Sequence, residues 1–191
     1  MTHVYFVRHA LPDNRNNNDR YRPLTEEGHQ DSYKVTAHFK DKPIDFIMSS
    51  PYKRSVDTIK DLANALHMEI HTDEDFRERE KGIGYGHDAT LYVKNMWNDF
   101  QYKTEGAECL AEVQKRNIRA LKKLLTEHKN ENIIVATHGT ALSTILNYYD
   151  ATFHYDDFMR IINFMPYIIR LDFDNETYLS RFEELIIKKE A

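Results

Sequence analysis

Two short apolar runs, each stopping at a histidine, constrain this chain more than any other feature. Val4, Tyr5, Phe6 and Val7 stop at Arg8-His9, and Ile133, Ile134, Val135 and Ala136 stop at Thr137-His138-Gly139. Short runs of β-branched and aromatic residues read as strands buried on both faces, the habit of a parallel sheet covered by helices. Between them lie helical patterns. Thr25 precedes Glu26 and Glu27, a cap with an acidic first turn, and this helix is expected to run through Val35 to about Phe39. A further strand is expected over residues 44–48, followed by Ser49-Ser50-Pro51 as a helix start and by Val56, Ile59, Leu62, Ala63 and Leu66 at helical spacing.

Downstream, Ile70 and Phe76 flank a possible third strand, and Gly82, Gly84 and Gly86 break regular structure before an aromatic segment at 92–102. That segment reads as a helical or irregular insertion over one edge of the domain. Leu110, Val113, Leu121, Leu124 and Leu125 mark a long amphipathic helix within 107–128. Residues 167–171 and 178–182 read as two strands joined by a turn at Asp174, Asn175 and Glu176. The expectation is a single domain over 1–191, a three-layer α/β/α sandwich with a mainly parallel sheet and a small cap-like insertion at about 83–106.

Composition removes several classes of function. At 41% hydrophobic and 30% charged residues the chain lies in the globular range. The lone cysteine, Cys109, allows neither an internal disulfide nor a thiolate metal cluster. The apolar runs fall far short of the roughly 20 residues a bilayer requires, so no membrane span is expected. The first run is interrupted by Arg8 and His9 too early for the core of an export signal, which makes the cytoplasm the expected compartment. A formal net charge of -5 gives no broad basic footprint for nucleic acid, so any anion must be captured locally.

Local capture is what the strand ends offer. In open α/β sheets ligands bind beyond the carboxyl ends of strands, where loops and helix N-termini converge. Arg8 and His9 end one strand, His138 ends another, and Arg54 lies at a third strand-to-helix junction. Their convergence would suit a phosphoryl group, with neutral His9 as nucleophile, Arg8 and Arg54 neutralising its oxygens and His138 donating a hydrogen bond. Glu78 is the candidate proton donor to the leaving alkoxide. Taken singly, each of these residues reads as an ordinary boundary or surface side chain. Arg15, Arg20 and Arg22, in the polar loop after the first strand, are candidates for reaching an anionic substrate.

In this order the residues resemble the histidine phosphatase superfamily, the phosphoglycerate mutase-like group. Val7-Arg8-His9-Ala10 is similar to its Arg-His-Gly signature, Pro23-Leu24-Thr25 with Gly28 to its Pro-Leu-Thr-x-x-Gly, and Ser49-Ser50-Pro51 with Arg54 to its Ser-Ser-Pro-x-x-Arg. Phe76-Arg77-Glu78 with Gly82 resembles the acid-bearing segment, Gly106-Ala107-Glu108-Cys109 the Gly-Gly-Glu-Ser element, and Val135 to Gly139 the second histidine motif. The resemblance implies a phosphoglycerate mutase-like fold, phosphorylation of His9 during turnover, Arg8, Arg54 and His138 as the phosphate pocket, Glu78 as proton donor, and catalysis without a metal or other cofactor. Ala10 stands where the family has glycine, and residues 11–15 lack its Glu-Ser/Thr-x-x-Asn run.

Within the family the modest insertion between Gly82 and Gly106 favours a phosphatase, while Arg79 after Glu78 is shared with mutases. The partner implied is a phosphorylated small molecule, and the sequence fixes no oligomeric state. A protein that binds phosphate esters without turnover is the alternative from another class; it would need neither a nucleophile nor an acid. His67 and His71 have an i, i+4 spacing, but the sequence around Ile70 reads as a helix end passing into a strand, with no third metal ligand. Trp97, Phe100 and Tyr102 read either as a lid lining the pocket or as the insertion's own core, and Cys109 as a packed helix residue.

Overall fold

The apolar strands assemble into one sheet. The computed structural model describes residues 1–83 and 88–190. β1 (Thr2–Arg8), α1 (Glu26–Phe39), β2 (Phe46–Ser49), α2 (Lys53–Leu66) and β3 (His71–Thr72) come first, followed by a 3-10 turn at Glu74–Phe76. Then come α3 (Ala89–Asn98), α4 (Leu110–Glu127), β4 (Asn132–Thr137), α5 (Gly139–Tyr149), α6 (Tyr155–Ile161), β5 (Phe164–Asp174) and β6 (Thr177–Lys188). Among the described residues the six strands lie in the order β3-β2-β4-β1-β5-β6. β3, β2, β4 and β1 run parallel, and β5 and β6 form an antiparallel hairpin on the β1 side.

Side chains alternate across a strand, so each strand feeds two cores. Val4 and Phe6 of β1 join Ile133 and Val135 of β4 under α4, α5 and α6, while Tyr5 and Val7 join Ile134 and Ala136 under α1 and α2. This is the expected three-layer α/β/α arrangement. Leu110, Leu121 and Leu125 of α4 are fully buried, so the amphipathic stripe read from the sequence is the face that covers the sheet.

Several elements differ from the sequence reading. The third strand is two residues long, and Phe76 is buried from a 3-10 turn beyond it. The aromatic insertion contains α3, whose Trp97 is 1% exposed and packs against Phe100, Phe153 and Phe158. α6 had no clear signal; His154 N–H donates to Asp157 across its first turn, and Phe158 and Ile161 pin its seven residues to the core. The terminal strands extend well past the expected segments, with Asn175 at φ 52 turning between them. Gly84 and Gly86 lie outside the described residues.

The loop between β1 and α1 is tied at its neck. Thr25 caps α1 by accepting from the Gly28 N–H at 2.9 Å, and both Thr25 N and its hydroxyl donate to the Leu11 carbonyl. Asp13 N–H donates to Pro23 O at 2.8 Å. Gly28 is required here, since a Cβ at this position would stand 2.3 Å from the Leu11 oxygen.

Candidate active site

Register places the two histidines. Parallel pairing sets Arg8 beside Thr137, and the His9 N–H continues the ladder by donating to Thr137 O at 3.1 Å. His9 and His138 therefore leave adjacent strand ends together, and their rings meet edge-on with centroids 5.3 Å apart. At the end of β2, Ser50 N–H donates to Ala136 O, and α2 starts immediately afterwards with Arg54 in its first turn. Arg8, His9, Arg54 and His138 are all buried.

The surroundings fix the protonation of His9. Its Nδ1 lies 2.8 Å from the Ala10 carbonyl, which can only accept, so Nδ1 carries the proton and the lone pair is at Nε2. Burial, followed by the charges of Arg54 and Arg8, holds the ring well below the ordinary histidine pKa. His138 is shifted in the same direction by burial, then by Arg54 and His9. Ala10 is fully buried, and its N–H donates to Thr58 Oγ1 at 2.9 Å.

Two buried nitrogens at this spot lack a partner among the described residues. Arg8 Nη1 donates to Ile161 O at 2.8 Å, but Nε of Arg8 and Nδ1 of His138 are buried without a hydrogen-bond partner among the described residues. Burial lowers the Arg8 pKa to about 10, which leaves it charged at neutral pH. A buried polar nitrogen without a partner is costly. Gly139 makes the arrangement possible: a Cβ there would stand 3.0 Å from the Arg8 guanidinium carbon. On its far edge His138 Nε2 meets Ser50 Oγ at 2.7 Å and Ser55 Oγ at 3.2 Å.

Glu78 stands at the N-terminus of α5. Its carboxylate accepts from the N–H groups of Arg79, Thr140 and Ala141, at 2.8, 3.1 and 3.0 Å, and so caps the N-terminus of α5, where His138 supplies no side-chain cap. Behind it, buried Arg116 donates to the carbonyls of Asp75, Arg77 and Glu78 and forks onto Glu108. Burial alone would raise the Glu108 pKa, but its hydrogen bonds with Arg116 and Glu80 N–H hold it below the usual value. One guanidinium thus organises the whole acid-bearing segment.

Arg8, His9, Arg54 and Glu78 line one cavity of ≈ 410 Å³, together with Arg22, Arg79 and Lys81. Its other wall is apolar, built by Val93 and Met96 of α3 and by Phe158, Ile162 and Met165. His138 is fully buried beside His9 and is not among the residues that line this cavity. Arg15 is not brought to the cavity; its side chain is 90% exposed and forks onto Asp13. Arg20 pairs with Glu74 instead. Trp97 stays in the core while its neighbours Val93 and Met96 reach the cavity. His67 ends α2 in the left-handed conformation and His71 stacks on Phe46, so the two share no helix face. Ser50, Ser55, Asn14 and Asp19 were not singled out as site residues. Ser50 lies in the Ser49-Ser50-Pro51 block with Arg54, read as a helix start and a family motif but not for its hydroxyl; Ser55 follows that block directly, and for the two loop residues the sequence carries no signal.

A Bacillus subtilis (strain 168) protein named "Uncharacterized phosphatase PhoE" is 28% identical over 150 residues, 76% of each chain. A Yersinia pestis (strain Pestoides F) relative named "Probable phosphoglycerate mutase GpmB" is 28% identical over 159 residues, covering 77% of this chain and 74% of its own. The solved phosphoserine phosphatase of Entamoeba histolytica in complex with 3-phosphoglyceric acid superposes with a TM-score of 0.77 at 19% identity, over 100% of this chain and 98% of that one, a likeness of fold. The model of the histidine phosphatase superfamily (branch 1) matches residues 4–182, and the chain belongs to that family.

Proposed function

We propose that this protein hydrolyses phosphate monoesters through a phosphohistidine at His9, with no metal. The observation that carries this reading is the His9 ring itself: neutral, fixed by Ala10 with its lone pair on Nε2, and set beside two buried guanidinium groups. Nε2 attacks phosphorus as the ester P–O bond breaks, and Glu78 in its acid form gives its proton to the departing alkoxide oxygen. Arg8 and Arg54 neutralise the equatorial oxygens, and His138 donates from its unpartnered Nδ1. Water then attacks the phosphohistidine, Glu78 takes up the water's proton, inorganic phosphate leaves and the Nε2 lone pair is restored.

The substrate class is a phosphorylated small molecule, in keeping with the phosphatase names among the relatives. A second reading, transfer of the phosphoryl group to a substrate hydroxyl, draws on the mutase-named relative and on Arg79, which lines the cavity next to Glu78. The two share the first half-reaction and differ in what takes the phosphoryl group from His9.

Rapid quenching during turnover of a radiolabelled ester should trap phosphate on the protein that acid removes and alkali leaves. His9→Ala should abolish both the label and turnover, a loss of roughly 10⁴-fold or more. Chelators should leave the rate unchanged, and loss of activity in EDTA would overturn the metal-free mechanism. Turnover of phosphoglycerates that requires a bisphosphate primer would select the mutase reading, and tight ester binding without any turnover would select the non-catalytic one.

A further inference from the structure

The hydroxyls beside His138 bear on which of its two nitrogens carries the proton. Ser50 Oγ stands 2.7 Å from His138 Nε2 and already accepts the Tyr52 N–H at 3.2 Å. Among the described residues the Ser50 hydroxyl proton has no acceptor other than Nε2. Ser55 Oγ is farther from Nε2, at 3.2 Å, and donates to the Thr137 carbonyl at 3.4 Å. Both serines and His138 are fully buried, so bulk water offers neither hydroxyl an alternative. The Ser50 backbone is pinned on both sides: its N–H donates to Ala136 O at 2.8 Å, and its carbonyl accepts the Ser49 hydroxyl at 2.6 Å.

A neutral imidazole has one donor nitrogen and one acceptor nitrogen. With the proton on Nε2, the ring would donate to Ser50 Oγ, strand the Ser50 proton, and leave a bare lone pair on Nδ1, which is buried without a partner among the described residues. With the proton on Nδ1, Nε2 accepts from Ser50 and the Nδ1–H is the single group left over. Stranded buried donors are costly, so the second arrangement wins. Resting on the hydrolase reading, in which Nδ1 donates to the phosphoryl oxygens, we infer that Ser50 is a positioning residue: its hydroxyl donates to Nε2 of neutral His138 and thereby commits the ring proton to Nδ1. Without that hydroxyl the ring takes either tautomer, and a lone pair on Nδ1 repels the oxygens it should bind. Ser50 does not line the cavity. It acts through His138 on the phosphoryl group, which every ester shares.

Nitrogen-15 NMR of the unaltered protein above neutral pH should show a pyrrole-type Nδ1 and a pyridine-type Nε2 for His138; the reverse assignment would overturn the proposal. Ser50→Ala should lower kcat/KM by roughly tenfold or more. The loss should be the same for an alkyl and an aryl phosphate, unlike the loss of a proton donor, which depends on the leaving group. In a His138→Gln background the same Ser50→Ala change should cost less than about twofold, because the group it acts through is gone. Unchanged kcat/KM in Ser50→Ala, a loss confined to the alkyl ester, or losses that multiply in the double variant would each overturn the role. If no ester is hydrolysed, the hydrolase reading fails, and the NMR assignment together with calorimetric binding of inorganic phosphate decides the role of Ser50. Ser50→Ala should then weaken phosphate binding roughly tenfold with His138 present and leave it unchanged in the His138→Gln background; equal effects in both backgrounds would overturn the inference.

Discussion

The floor and the rim of the cavity are built by different rules. The floor consists of residues at the ends of adjacent parallel strands and in the first turn of α2, and hydrogen-bond register decides which side chains meet there. The rim comes from the loop before α1, from α3 and from the segment around α6, and is held by side-chain pairings such as Arg20 with Glu74 and Trp97 with Phe158. A floor set by register cannot shift one residue without turning every strand side chain to the wrong face. A rim set by individual pairings can change piecemeal. On the hydrolase reading proposed above, reaction chemistry therefore belongs to the floor and choice of leaving group to the rim.

The contrast can be broken most sharply at Glu78, which lines the cavity beside the N-terminus of α5. Glu78→Gln should slow hydrolysis of an alkyl phosphate by about 10²-fold or more, and that of an aryl phosphate with a good leaving group far less. Equal losses on both would remove it from the role of proton donor.

The support beneath the floor comes next. Arg116→Met leaves the Glu108 carboxylate without its main partner and frees three carbonyls of the acid-bearing segment, for a cost on the order of 3 kcal/mol. The thermal midpoint should drop by roughly 6–12 °C. A drop confined to a degree or two would mean that the segment holds its shape without Arg116.

Acid should act on the floor as well. His9 and His138 are held neutral in the fold with pKa values well below the ordinary 6.5, whereas in the unfolded chain they titrate near that value. The unfolded chain binds more protons, so the stability these two groups contribute is present above about pH 6.5 and declines as pH falls toward the folded-state values. Thermal midpoints between pH 7 and 5 should decrease, and the decrease should shrink when a bound phosphate analogue occupies the floor. The smallest effect belongs to Arg15→Ala, which should change kcat/KM by less than twofold because that side chain points to solvent and pairs with Asp13. A tenfold loss would return Arg15 to the rim.

The same division governed what could be read from the sequence. His9, His138, Arg8 and Arg54 were legible because apolar runs locate strand ends, and strand ends in such a sheet locate sites. The Thr25 cap was legible because capping is local. The serine hydroxyls on His138 Nε2 were not, since they depend on β2 lying next to β4, a pairing between residues far apart along the chain. Asp19 was hidden for a related reason: its place follows from tertiary anchors at Lys53 and Glu74, and a polar loop reads alike whether it is pinned or solvated. β3 and α6 are too short for periodicity to register.

The tie between Leu11 and Thr25, closed over a glycine that leaves no room for a side chain, has a consequence for how this molecule can vary. Because the neck is sewn shut below Asp13 and Pro23, chain added or removed at residues 16–18 alters the length of a loop whose two ends are already joined, and an added residue carries a small entropic penalty that the strands never feel. New substrates could be sampled by indels at that tip, while His9 stays where the sheet put it.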